Sequence, residues 1–95
     1  MFIINITYKV DLNEVDKHLE AHVAFLNKHY ELKNFLASGR KVPRSGGIII
    51  ANAPSKLTVE QIIEEDPFKQ YNLADYHIIE FTPSKTSKEL EFLIE

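Results

Sequence analysis

The chain has 95 residues, which is enough for one compact domain and too few for two, so we predict a single domain over residues 1–95. Its apolar share of 44% and charged share of 26% are ordinary for a globular protein, and its net charge of −3 argues against a general nucleic-acid binder. Because the sequence contains no cysteine, disulfide scaffolds, thiol nucleophiles and cysteine-based zinc sites are excluded.

The first ten residues, MFIINITYKV, alternate between apolar and mixed positions, which is typical of a β-strand with one apolar face. The segment has no small-residue cleavage site like that of a signal peptide, and no apolar run approaches the roughly 18 residues that span a bilayer. We therefore expect a cytoplasmic protein with no membrane partner. The positions on the apolar face are Phe2, Ile4, Ile6, Tyr8 and Val10.

An amphipathic helix is predicted from about Asn13 to Ala37, because apolar residues recur at three- and four-residue steps. The stretch KHYELKNFLASG is expected to contain a break or a second short helix, and Gly39 is a natural C-terminal stop. The apolar stripe of this helix consists of Val15, Leu19, Val23, Leu26 and Tyr30.

The stretch RKVPR, residues 40–44, predicts a second strand at the edge of the sheet, since Pro43 cannot donate a hydrogen bond to a neighbouring strand. Gly46 and Gly47 are expected to form the turn into a third strand, IIIANA. Three consecutive isoleucines indicate burial on both faces, and hence a central position in the sheet.

A second helix is predicted to begin with the capping-box pattern at Thr58 and to stop at Asp66, because Pro67 disfavours helical geometry in the residue before it. The stretch DYHIIEFTP predicts a fourth strand. Thr86 and Glu89 form another capping-box pair, which predicts a short C-terminal helix.

The predicted order β-α-β-β-α-β, followed by a terminal helix, is typical of an α+β, ferredoxin-like antiparallel sheet with both helices on one face. The other face then has no helix over it, although the alternation places some apolar residues there. Since an uncovered apolar sheet face is an interaction site in most soluble proteins, we predict a homodimer packed through the sheets, with a larger assembly left open.

Three histidines lie on the first helix, and His18 and His22 have the i, i+4 spacing that can bind one metal ion. The glutamate of HLEAH does not directly follow the first histidine, and no third ligand stands nearby in the sequence, so we predict no metal site. We interpret His18 and His29 as solvated surface residues.

His22 lies at the border of the apolar stripe, where a partly buried imidazole can be held in one tautomer and act as a general acid or base. Alternatively, it donates to a backbone carbonyl. Asp66 is its candidate partner, because His22 lies about ten residues into the first helix and Asp66 about eight into the second, heights of roughly 15 and 12 Å. The alternative for Asp66 is local capping of the turn.

Positive charge gathers where the second strand is predicted to turn into the third. Because neighbouring side chains on a strand alternate, Arg40 and Arg44 share one face and Lys41 points to the other. If the shared face is the uncovered one, both guanidiniums border a cavity and can hold a carboxylate or phosphate. Otherwise the charges only block edge-to-edge aggregation. Ser45, Tyr8 and Phe68 are further candidates for substrate contact. For the two aromatic residues, Tyr8 and Phe68, the alternative is packing in the hydrophobic core.

Three stretches, AHVAFL, LASGRKVPRSGGIIIA and EEDPF, together resemble the YCII-related (YciI-like) family, a branch of the dimeric α/β barrel superfamily. The resemblance covers nearly the whole chain. It implies a ferredoxin-like fold, dimerisation through the sheets, and an active-site histidine and aspartate that match His22 and Asp66 here. It also suggests lyase-type elimination by this pair.

These observations lead to three hypotheses about function. The first is a cofactor-independent lyase or isomerase in which His22 moves a proton, Asp66 orients it and Arg44 holds a small anionic or phenolic substrate. The second is a non-catalytic small-molecule-binding or regulatory homodimer, favoured by Leu19, which stands where many family members have an arginine. The third is a structural module that presents the sheet face and the C-terminal helix to a protein partner.

Overall fold

The computed structural model describes residues 1–94, in which four strands form one antiparallel sheet. The elements in chain order are β1 (Phe2–Tyr8), α1 (Leu12–Asp16), α2 (Leu19–Glu31), β2 (Phe35–Arg40), β3 (Gly46–Ala51), α3 (Lys56–Ile63), α4 (Pro67–Gln70), β4 (Ala74–Glu80) and a 3-10 helix (Lys88–Leu93). The strand order is β2-β3-β1-β4, so β1 and β3 are central and β2 is an edge strand. This is the α+β, ferredoxin-like arrangement that the sequence predicts. No helix within residues 1–94 is long and apolar enough to cross a membrane.

One face of the sheet carries the hydrophobic core. Phe2, Ile4 and Ile6 of β1 are all buried on this face, since alternate side chains of a strand point to the same side. The helices contribute the facing layer, including the buried residues Val15, Phe25, Val59, Ile62 and Ile63. The helices therefore pack together on this face, and any site between helix and sheet lies on this side.

The reverse face of the sheet carries the other set of alternating residues. Ile3 of β1 is half-buried there, and Ile79, its partner on β4, is 44% exposed. The C-terminal segment covers one end of this face, because Leu90 and Leu93 line a groove together with Ile50 of β3. The remaining reverse face is apolar in part and has no helix of α1–α4 over it.

The region between the first helix and the third strand differs from the sequence prediction. The helix ends at Glu31, and β2 begins at Phe35 rather than at Arg40, because Lys33 adopts a left-handed conformation (φ 65°) and reverses the chain. Phe35 is buried and anchors β2 to the core. Pro43 therefore lies in the β2–β3 loop instead of in a strand, although the predicted edge position of the second strand is confirmed.

Gly46 and Gly47 do not form the predicted turn; they are the first two residues of β3. Gly46 lies so close to β1 that a Cβ atom there would be 1.8 Å from the carbonyl oxygen of Ile6. The glycine is thus required by the close approach of two backbones rather than by a bend. The central position predicted for the IIIANA strand is confirmed.

The second helix begins earlier and ends earlier than predicted. Ser55, and not Thr58, is the N-cap residue of α3, and its side chain accepts a hydrogen bond from the Thr58 N–H. The helix ends at Ile63, and a separate short helix, α4, follows Asp66. Asp66 is therefore the N-cap residue of α4, where a carboxylate is favoured, and not the C-terminal end of α3.

The predicted C-terminal helix is a 3-10 helix, and its capping box is not formed. Ser87 is the N-cap residue and makes no side-chain capping hydrogen bond, so the expected pairing of Thr86 with Glu89 was wrong. The helix instead holds its place through burial of Leu93.

Candidate functional site

A cavity of about 250 Å³ lies between α2 and the sheet, at the end where the β2–β3 loop is found. Its walls are mainly apolar, because aliphatic residues of α2, β1 and β3 form them. One end is polar and cationic, since two hydroxyl side chains and two arginines reach it. The lining residues on which the site depends are Tyr8, Leu19, His22, Ser38, Arg40 and Arg44.

His22 is the imidazole in the wall of this cavity, and only 12% of its side chain is exposed. Its Nδ1 lies 2.8 Å from Oδ1 of Asp66. Its ring stacks on the ring of Phe68, with the centroids 4.0 Å apart and the planes 6° from parallel. These two contacts fix both the position and the orientation of the ring, which cannot turn away from the cavity without losing them.

Asp66 is fully buried, and the fold directs hydrogen-bond donors to both oxygens of its carboxylate. As the N-cap residue of α4, it accepts a hydrogen bond on Oδ1 from the backbone N–H of Phe68 at 3.0 Å. The hydroxyl of Tyr76 donates to Oδ2 at 2.5 Å. Because these donors stabilise the charged form, the carboxylate also accepts a hydrogen bond from the Nδ1–H of His22. Nε2 is then the nitrogen of the ring that carries a free lone pair.

Nε2 of His22 has no hydrogen-bond partner among residues 1–94, and the ring that carries it lines the cavity. An imidazole of this kind can remove a proton from a molecule in the cavity. The imidazolium that forms is then stabilised by the carboxylate of Asp66 behind it. The arrangement is therefore suited to general acid–base chemistry.

Tyr76 reaches Asp66 from β4, where it pairs with Ile6 and so faces the helices. Burial, and after it the negative charge of Asp66, raises the pKa of Tyr76 well above its ordinary value. The phenol therefore stays protonated at physiological pH. Its hydrogen is directed to Asp66, so the hydroxyl acts as a donor to the carboxylate.

Both arginines predicted to share a face do line the cavity, but on the helix-covered side of the sheet and not on the uncovered one. Arg44 Nη2 donates to Asp16 Oδ1 at 2.6 Å, and this hydrogen bond raises the pKa of Arg44. The Nε of Arg44 is buried and has no acceptor within residues 1–94. Arg40, at the end of β2, makes no ion pair with any residue in that range. The cavity thus has two guanidinium groups with hydrogens to donate.

The structure brings together some of the predicted site residues and separates others. His22, Tyr8, Arg40 and Arg44 line one cavity, and Asp66 lies behind His22. Ser45 and Phe68 do not line it. Ser45 is an exposed loop residue whose carbonyl accepts from the Tyr8 N–H, and Phe68 is buried as the support on which the His22 ring stacks.

Two polar residues of the site were missed in the sequence. Ser38 lines the cavity and its hydroxyl lies 2.6 Å from that of Tyr30, but the sequence predicts a helix to about Ala37 and a strand only from Arg40, so it gives Ser38 no strand position. Tyr76 was included in the fourth strand without a role. The alternation of that strand places its side chain on the helix side, which was the one available signal.

The other histidines of α2 are placed differently from the prediction. His29 was expected at the surface but is only 2% exposed, because it packs between Phe25 and Phe35 where α2 meets β2. His18 is half-buried and stacks on Tyr71 at a centroid distance of 4.2 Å. Within residues 1–94 no group of three or more His, Cys, Asp or Glu side chains could hold a metal ion.

Comparison with known proteins supports the fold and assigns a family. A search of curated proteins gives no match. Among solved structures, 5-chloro-2-hydroxyhydroquinone dehydrochlorinase (TftG) from Burkholderia phenoliruptrix AC1100, in complex with 2,5-dihydroxybenzoquinone, superposes with a TM-score of 0.74 at 20% identity, over 93% of this chain and 96% of that one. The model of the YCII-related domain matches residues 1–82. The chain therefore belongs to the YCII-related domain family.

Proposed function

We propose that this protein is a cofactor-independent lyase or isomerase, in which His22 moves a proton of a small anionic or phenolic substrate bound in the cavity. The observation that carries this proposal is the contact between His22 Nδ1 and Asp66, which leaves Nε2 free in a ring on the cavity wall. The name of the structurally similar dehydrochlorinase, which acts on a substituted hydroquinone, supports both the reaction class and the phenolic substrate.

In an elimination, Nε2 of His22 removes a proton from the substrate, and the electrons of the broken bond form a new π bond. The bond to the leaving group breaks with its electron pair, so that the substrate loses one molecule of acid overall. In an isomerisation, the same imidazolium returns the proton at another atom. In both reactions Asp66 stabilises the positive charge that His22 gains.

The cationic end of the cavity is suited to the negative charge that develops on the substrate. The buried Nε hydrogen of Arg44 has no acceptor within residues 1–94, and an anionic substrate oxygen would supply one. Arg40 adds a second guanidinium at the same end. Asp16 holds Arg44 at 2.6 Å and so keeps its guanidinium in place.

The size of the cavity favours a substrate with a single ring. Its volume of about 250 Å³ lies below the 300–1,000 Å³ or so of typical drug-binding pockets. The aliphatic wall formed by residues such as Leu19 and Ile49 would pack against the faces of a flat ring. A small phenol or quinone with ionised oxygens meets both requirements.

A non-catalytic ligand-binding or regulatory role is the second candidate, and Leu19 favours it. This residue lines the cavity beside His22 and gives the wall an aliphatic side chain at a point where a polar one would assist charge separation. A protein of that kind would bind the same class of ligand without turnover.

The functional unit is proposed to be a homodimer formed through the reverse face of the sheet. Ile3, Ile50 and Ile79 give that face an apolar strip, and the half-buried and exposed parts of these residues would be covered by a second copy. Light scattering should give twice the mass of the chain. Ile79→Lys, which puts a charge into the strip, should shift the mass toward that of a monomer.

The proposed reaction is tested with 5-chloro-2-hydroxyhydroquinone as substrate and 2,5-dihydroxybenzoquinone as ligand. We expect the wild type to release chloride and to bind the quinone. His22→Gln should keep quinone binding and lose chloride release. His18→Gln is the matched control, since His18 lies one turn away on the same side of the molecule but does not line the cavity.

The two candidate functions give different results in this experiment. Quinone binding that is weakened by Arg44→Gln, with no chloride release by the wild type, would favour the binding role. Absence of both binding and turnover would reject the proposed substrate class. Equal turnover by the wild type and His22→Gln would reject His22 as the base.

A further inference from the structure

We infer that Tyr76 is a positioning residue of the site, which keeps Asp66 ionised so that Nε2 of His22 remains available to accept a proton. This inference rests on the proposed function in one respect, namely that Nε2 of His22 is the base that removes the substrate proton. Its geometric basis is a continuous chain of hydrogen bonds from β4 through the buried carboxylate to α2. Nothing else in the proposed reaction requires the hydroxyl of Tyr76.

The hydrogen bonds of Asp66 show why this hydroxyl matters. Oδ1 is shared by His22 Nδ1 and the Phe68 N–H, whereas within residues 1–94 Oδ2 has one partner, the Tyr76 hydroxyl. Asp66 is fully buried, so its oxygens have no direct contact with bulk solvent. Without Tyr76, one oxygen of a buried carboxylate would have no hydrogen bond, and uptake of a proton by the pair would become more favourable.

An extra proton on this pair disables the site wherever it is placed. If it binds Asp66, the carboxyl group donates to Nδ1 of His22, and the ring carries its own hydrogen on Nε2. If it binds the ring, Nε2 is again protonated. Both arrangements remove the lone pair on Nε2, so the base would be lost over a wider pH range than in the wild type.

The supporting environment makes Tyr76 suited to this role. Its hydroxyl cannot deprotonate at physiological pH, because burial and the nearby Asp66 carboxylate raise the pKa of Tyr76. The Tyr76 hydroxyl therefore keeps its hydrogen at physiological pH. Glu64 is the other acidic group that acts on Tyr76, and its charge has the same effect. Tyr8, which packs edge-on against Phe68, acts on Tyr76 in the same direction. A second cavity is lined by Tyr76 together with the titratable residues Lys56, Glu60, Lys69 and His77.

The experiment is a pH titration of the His22 ring nitrogens by ¹H–¹⁵N NMR, in the wild type and in Tyr76→Phe. We expect Nε2 of the wild type to take up its proton at a lower pH than Nε2 of Tyr76→Phe, with a difference of about 0.5–1 pH unit. Tyr71→Phe is the matched control. It removes a hydroxyl from an exposed tyrosine that stacks on His18, and it should leave the His22 titration unchanged.

If Tyr76→Phe fails to fold, a second variant tests the same inference. Replacement of Tyr76 alone by 3-fluorotyrosine keeps the shape and makes the phenol a stronger donor, so the midpoint for Nε2 should move in the opposite direction, to lower pH. A folded Tyr76→Phe whose midpoint stays within about 0.2 pH unit of the wild type would overturn the inference. The titration needs no substrate, so its result is independent of whether chloride release is found.

Discussion

Two histidine–carboxylate pairs join α2 to the turn between α3 and α4, and they differ in what the second ring nitrogen does. His22 bonds Asp66, and His29, two helical turns later, bonds Glu65. Nδ1 of His29 accepts from the Asn34 amide while Nε2 donates to Glu65 at 3.0 Å, so both nitrogens are used within the protein. His22 uses only Nδ1 in this way, and its Nε2 has no partner within residues 1–94.

The comparison shows that a histidine–carboxylate pair is not in itself a site. His29 is nearly inaccessible, but its carboxylate partner Glu65 is 43% exposed and also binds Lys28. The pair of His29 and Glu65 therefore links α2 to the turn between α3 and α4. In the pair of His22 the carboxylate is buried and the imidazole faces a cavity. The order of burial is reversed, since the carboxylate is the exposed member of one pair and the buried member of the other, and we propose a chemical role only for the pair of His22.

The largest effect is expected from His22→Gln. Loss of a general base typically costs about 10²–10⁴-fold in rate, so chloride release should fall by that factor in a variant that stays folded. His29→Gln should leave the rate within about twofold, because His29 does not line the cavity. The two variants are compared by their rates of chloride release at saturating substrate and by thermal unfolding. A larger loss of rate in His29→Gln than in His22→Gln would break the distinction.

The second prediction compares the two neighbouring carboxylates through matched amide substitutions. Asp66→Asn removes the charge that stabilises the His22 imidazolium and should lower the rate by about 10²-fold. Glu65→Gln makes the same chemical change one residue earlier, on a side chain that is partly in solvent. Its rate should equal that of the wild type. Equal rate losses in both variants would show that the site does not depend on the buried carboxylate specifically.

The third prediction concerns the free energy of unfolding of the His29→Gln variant. His29→Gln removes a buried ring that packs against Phe25 and Phe35 and makes two hydrogen bonds, so the free energy of unfolding should fall by about 1–3 kcal/mol. Urea denaturation measures this loss. A His29→Gln variant as stable as the wild type would mean that the pair does not fasten α2 to the turn.

The smallest effect is expected from the pH dependence of Glu65. The hydrogen bond from Lys28, followed by that from His29, lowers the pKa of Glu65 below its usual 4.5. The folded state therefore binds this proton less readily than the unfolded state, so the pair's contribution is complete above pH 4.5 and is lost as the pH falls through the lowered value. Because Glu65 is partly exposed, the contribution should be below about 1 kcal/mol.

Stability curves of the wild type and Glu65→Gln between pH 6 and pH 3 test this point. The two curves should be separated at pH 6 and should approach each other toward pH 3. Curves that stay parallel over the whole range would show that the Glu65 carboxylate contributes nothing through its charge.

The sequence predicts the kinds of element and their order along the chain, because these follow from the periods of apolar residues, which β1 and α2 show clearly. It also pairs His22 with Asp66, although the helix heights used for that pairing assumed a second helix that continues to Asp66, whereas α3 ends at Ile63. The boundaries were less predictable where one residue changes the direction of the chain. The left-handed Lys33 ends the turn after α2 and moves β2 five residues earlier, and no local pattern marks lysine for that conformation.

The details of the site depended on those boundaries. With a helix predicted to Ala37 and the second strand at 40–44, Ser38 fell between the two elements and was not placed on the cavity, and the two arginines were considered for the uncovered face. The difference between His22 and His29 was not predictable from spacing. Both lie on α2 beside apolar residues, and only the neighbours that arrive from distant parts of the chain decide which ring nitrogen remains free.

A crystal structure of the complex with 2,5-dihydroxybenzoquinone would show whether Nε2 of His22 faces a bound substrate while Asp66 holds Nδ1. We expect the quinone between α2 and the sheet, with one of its atoms within hydrogen-bond distance of His22 Nε2 and an anionic oxygen at Arg44. A quinone bound elsewhere, or a His22 ring turned so that Nδ1 no longer contacts Asp66, would contradict this expectation.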